Sequence, residues 1–149
     1  MNSVKTSAFL LCLGLPCTAA WADTREPIPL DEEQADYVRG VMRGFLHSIQ
    51  GISAALAVED WKKVVEMARA SGSAATTDAP PGTSAAFSAR WKQWGPATHG
   101  GFDQLAVDAD ALKDVKHSLG QLGEISRNCV ACHAAHRIQV IDPFKDARL

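Results

Sequence analysis

A strong excess of charge of either sign is missing from this chain. Its 15 Lys+Arg stand against 17 Asp+Glu, a formal net charge of −2. That leaves no basic footprint for nucleic acid and no Lys/Arg cluster for an anionic membrane surface. Long hydrophobic runs are also missing beyond the first residues, so no segment after residue 22 reaches membrane-spanning length. No strand-like alternation of any length, internal repeat or heptad run appears. There is no Ser-His-Asp pattern, glycine-rich phosphate loop or paired-carboxylate motif, and this absence points away from an enzyme. Cysteine is scarce, with only Cys12, Cys17, Cys129 and Cys132.

Residues 1–22 read as a cleaved secretory signal. Lys5 supplies the positive charge, Ala8 to Leu15 the apolar stretch and Pro16 its break, and Ala20-Trp21-Ala22 gives a small-x-small cut site. The expectation is an exported, periplasmic protein whose residues 23–149 form one ordinary domain with a core of its own. Cys12 and Cys17 leave with the signal. The remaining pair, Cys129 and Cys132, is then too sparse for a disulfide scaffold.

The rest of the chain reads as helix. Residues 23–30 hold Pro27 and Pro29 and should be an extended lead-in. Asp31 is a candidate N-cap, with Glu32 and Glu33 in the first turn. Val38, Val41, Met42, Phe45, Ile49, Ile52 and Leu56 follow at steps of 3, 1, 3, 4, 3 and 4, one apolar stripe of a helix over 31–57. Glu59 and Asp60 open a second helix with Trp61, Val64, Val65 and Ala68 inward, stopping near Ser71-Gly72. Residues 72–83 are loop by composition. A short helix is expected over Ser84–Trp94, broken at Gly95-Pro96, with Thr98 capping the next one to about Lys113. The last helix should run from Val115 to Val140 and stop at Asp142-Pro143. The economical fold is all-α, an antiparallel up-down-up-down four-helix bundle.

Cys129-Val130-Ala131-Cys132-His133 carries the chemistry. Two thiols three residues apart on a helix reach the two vinyl groups of one haem and form thioethers; the next residue, His133, then offers a ring nitrogen to the iron. A thioredoxin-like pair belongs in a βαβ context that is not visible here. A structural zinc site needs four ligands, and drawing Cys129, Cys132, His133 and His136 from one helix makes a poor tetrahedron. A disulfide closing so small a loop stabilises little. The expected cofactor is a single covalent haem c.

A four-helix protein with C-x-x-C-H near the end of its last helix resembles the cytochrome c′ family. The likeness is specific only over residues 129–137, where Arg137 matches the family's basic position and His136 replaces its usual aromatic. The resemblance implies haem near the C-terminal end of the last helix, Arg137 beside a haem propionate, and iron that is five-coordinate or closed by a methionine of the first helix. Met42 fits that second role, since thioether ligation suits haem iron and raises its potential; alternatively it is a core gap-filler. His47, the main rival, is about 140° around the helix from Met42 and off the stripe. His99 and His117 look solvated or capping, nothing marks Met67 beyond its position near the apolar face of the second helix, and the aromatics Phe87, Trp91, Trp94 and Phe102 look like core. The function implied is electron carriage between transient redox protein partners, as a monomer or a homodimer. The alternative is binding of nitric oxide or carbon monoxide at an open or labile sixth position.

Overall fold

The structure, a computed structural model, describes residues 23–142. The expected signal, its cut site and the stop at Pro143 lie outside them. The described chain is mostly helical, with helices α1 (Glu32–Leu56), α2 (Trp61–Arg69), α3 (Trp91–Leu112) and α4 (Val115–Ala135). Two short strands, β1 (Glu26–Leu30) and β2 (His136–Val140), flank the helical set. Among the described residues no helix is long and apolar enough to cross a membrane.

Helix α1 starts where local chemistry places it. Asp31 accepts from the Gln34 backbone N–H at 2.9 Å, and the Gln34 side chain accepts from the Asp31 N–H at 3.2 Å. Two orphan donors are thereby satisfied reciprocally, and Glu32 and Glu33 meet the positive end of the dipole. The α1 stripe buries Phe45, Ile52 and Leu56 against Val64 and Met67 of α2, Phe102 and Leu105 of α3, and Leu122 and Ile125 of α4. Helix α1 packs on α2, α2 on α3 and α3 on α4, whereas α1 and α4 meet only briefly. A smaller cluster of Ile28, Leu30, Ala35, Val38 and Phe87 lies under the strands, and Met42 touches both clusters.

Three expectations need correction. First, α4 ends at Ala135 and does not reach Val140. His136 turns to extended backbone (φ −127°, ψ 155°), and the chain then pairs in parallel with β1, Ile28 opposite Ile138 and Leu30 opposite Val140. Burial of His136, only 4% exposed, beside Glu26 and Ser88 competes with a further turn of helix. Second, strands are therefore present. Pro27 and Pro29 lack N–H groups, which a strand with a free edge tolerates. Third, α3 runs unbroken through Gly95-Pro96, while residues 84–86 belong to a 3₁₀ turn. Pro96 sits only in the second turn, so it removes a single bond, to the carbonyl of the exposed Lys92. Thr98 is no cap; its hydroxyl donates back to the Trp94 carbonyl at 2.8 Å.

Candidate haem-attachment site

The end of α4 is held from outside the helix. The Arg25 guanidinium donates to the carbonyls of His133 (3.3 Å) and His136 (3.5 Å), satisfying groups the helix leaves unpaired and placing positive charge at the negative end of its dipole. Asp23 grips Arg25 at 2.7 and 2.9 Å. That hydrogen bonding drops the Asp23 carboxyl to about 2. Trp94 meets the His136 ring edge-on at 5.8 Å, while His136 Nε2 lies 3.1 Å from Ser88 Oγ and 3.2 Å from Glu26 Oε2. Ser88 Oγ in turn accepts the Trp91 N–H, so the strand, the loop and the start of α3 are joined at the last turn of α4.

Cys129 and Cys132 face one cavity of about 550 Å³. His133, Met42 and His99 line it too, among apolar and aromatic walls that include Phe45 and Trp94. The volume lies within the roughly 300–1,000 Å³ of small-molecule and cofactor sites. Phe87 and Trp91 stack at 3.5 Å between ring centroids on its rim. Both cysteines are free and half-buried, and the Cys129 thiol donates to the Ile125 carbonyl at 3.6 Å. Burial pushes both thiols above their ordinary value, with the neighbouring Cys129 adding to the effect at Cys132. His133, by contrast, is exposed. Comparison of the chain with known protein families, curated proteins and solved structures finds no match. The residues must therefore speak for themselves. They fit a covalently held haem: two accessible thiols, a following imidazole and a thioether donor share one apolar space of suitable size.

The structure thus brings together Cys129, Cys132, His133 and Met42, which come from opposite ends of the chain. It does not bring in Arg137, which lies on β2 opposite Pro27 with its Nε 3.9 Å from Asp23. His47 is exposed, as its place off the stripe requires. His117 is exposed and sits 3.0 Å from Asp108. His99 overturns the expectation of a solvated or capping residue: it is 8% exposed, and Nδ1 approaches the carbonyls of Ser71 (2.9 Å) and Gly72 (3.1 Å). Its helical spacing with Phe102 and Ala106 was the available signal, since all three fall on the buried side of α3. Arg25 left no such signal, because the α4 carbonyls it binds are over a hundred residues away.

The Ser71–Gly72 corner depends on Asp103. Its carboxylate accepts the Ser73 N–H at 3.0 Å and lies where a side chain on residue 72 would have to go. Hydrogen bonding from Ser73 holds this carboxyl below the ordinary range. A depressed folded-state value stabilises the protein above the unfolded-state pKa and is lost as pH falls through the folded one. Thermal unfolding midpoints should therefore decline as pH drops below about 4, the unfolded Asp value. The decline should be shallower in Asp103→Asn, whose amide oxygen still accepts the Ser73 N–H. Identical pH profiles would show that this carboxylate carries no linkage.

Proposed function

We propose that this chain is a periplasmic single-haem c-type cytochrome that carries electrons. In this reading Cys129 and Cys132 would hold the haem, and His133 and Met42 would supply nitrogen and sulfur donors to its iron. The observation that carries the reading is the shared cavity: both thiols, the His133 imidazole and the Met42 thioether line one apolar space. The short connections from α1 to α2 and from α3 to α4, and the packing of the helices in chain order, favour an antiparallel up-down-up-down bundle of the cytochrome c′ kind, with one long connection between α2 and α3.

Bound here, haem supplies a one-electron couple. The protein's residues do the rest. Each thiol would add its S–H across a vinyl double bond, with no leaving group to depart and no outside oxidant needed. Burial pushes both thiols up, which favours their S–H form. Arg25 fixes the turn that carries His133, which limits the reorganisation of the ligand between oxidation states. Val38, Val41 and Phe45 make the wall around Met42 apolar, an environment that suits the uncharged thioether as a ligand. The exposed end of α4 around His133 is where a redox partner would approach, through a small transient interface.

The test is a visible spectrum of protein made in a host with haem-attachment machinery. A covalently bound, low-spin haem with a methionine–iron charge-transfer band is expected. A high-spin spectrum would favour binding of nitric oxide or carbon monoxide. A colourless product would falsify the central assignment.

A further inference from the structure

His99 is a buried imidazole that electron carriage by His133 and Met42 leaves without a task. Its Nδ1 faces two backbone carbonyls, of Ser71 and Gly72, at 2.9 and 3.1 Å. Carbonyls only accept, so Nδ1 carries the hydrogen and the lone pair of the neutral ring lies on Nε2. Among the described residues Nε2 has no hydrogen-bond partner, and His99 lines the cavity that Cys129, Cys132, His133 and Met42 share. A backbone-anchored Nδ1–H with a free Nε2 is the arrangement that orients a histidine for metal.

The anchor itself is stiff. The Ser71 hydroxyl donates to Ser48 at 2.8 Å inside the core, and Asp103 accepts the Ser73 N–H beside Gly72. The Phe45 ring packs on His99 at 4.9 Å between centroids. Phe45 lies three residues beyond Met42 on α1, so the two share one face of that helix. Of the other histidines described, His47 and His117 are exposed, and His136 does not line the cavity.

We propose that His99 is a nitrogen donor to the iron of the haem held at Cys129 and Cys132, taking the sixth position whenever the Met42 sulfur is absent from it. The inference rests on the haem reading above. Its consequence is a chain with two alternative sixth ligands, one soft and one harder. Loss of the thioether, by substitution or by oxidation to the sulfoxide, then lowers the potential and leaves no open iron.

The experiment compares haem-loaded wild type, Met42→Ala and Met42→Ala/His99→Gln by visible and electron paramagnetic resonance spectra. Gln keeps an N–H₂ that can donate to the same two carbonyls. Met42→Ala should remain low-spin with a bis-imidazole resonance signature, and the double variant should become high-spin. Added imidazole should bind Met42→Ala at least about tenfold more weakly than the double variant, because a tethered ligand must first leave. The resonance signature of Met42→Ala decides the matter even if the double variant fails to fold. A high-spin Met42→Ala, or identical spectra for the single and double variants, overturns the role of His99 and leaves the haem reading intact. Absence of covalent haem in wild type overturns both.

Discussion

Replacing Cys129 and Cys132 together by alanine should abolish covalent haem and, with it, much of the protein's stability. The haem-stained band on a denaturing gel and the mass increment of the attached group should both vanish. Either single variant should keep one thioether and a reduced yield. The effect on stability follows from the cavity. A dry, rigid void of 550 Å³ would cost about 13 kcal/mol at roughly 24 cal/mol per Å³. That approaches the whole stability of a domain, about 5–15 kcal/mol. Water entering the open side reduces the cost but leaves the walls of Phe45, Phe87 and Trp91 without partners. The double variant should therefore unfold at least about 10 °C below the haem-loaded protein, the equivalent of a few kcal/mol. Equal midpoints in calorimetry, with haem verified in one sample and absent from the other, would mean that nothing large is normally buried there.

Met42→Ala should remove the methionine–iron charge-transfer band and lower the midpoint potential. Thioether sulfur favours the reduced iron, so its loss favours the oxidised form. A fall on the order of 0.2 V is expected, about a quarter of the roughly 0.8 V that axial ligation spans. Redox titration with spectral readout measures it. Met42 is only partly buried and borders both core clusters, so truncating it disturbs packing less than truncating Ile52 or Phe102, which are wholly buried. A change in potential is then not an indirect result of unfolding. An unchanged band and potential would show that the thioether is ordinary packing, as buried methionines commonly are.

Local signals decided much of what could be read in advance. The Asp31 cap, the α1 stripe and the start of α4 at Val115 each depend on residues within a few turns of one another. The parallel pairing of β1 with β2 joins residues 110 apart in the register Glu26 with His136. Its trace in the sequence was faint. Ile28 and Leu30 alternate with prolines, and His136, Ile138 and Val140 alternate with polar residues, but five residues of alternation can equally continue a helix. Pro96 looked like a break because proline in mid-helix is costly. It proved tolerable one turn from a helix start, where the orphaned carbonyl belongs to an exposed residue.

Cysteine, cysteine and histidine in five consecutive residues are legible by themselves, because attachment of haem needs only their mutual spacing on one helix. From sequence alone, then, follow four helices and residues 129–133 as the candidate site. Tertiary structure alone decided what surrounds them. It set Met42 and His99 on the walls of one cavity with the cysteines, kept Arg137 out of it, and ended α4 at Ala135. The physical reason is range. Helical periodicity and capping are settled by neighbours a few residues apart. The burial of His99 depends instead on two carbonyls at the end of another helix, and the end of α4 on an arginine that precedes the first strand.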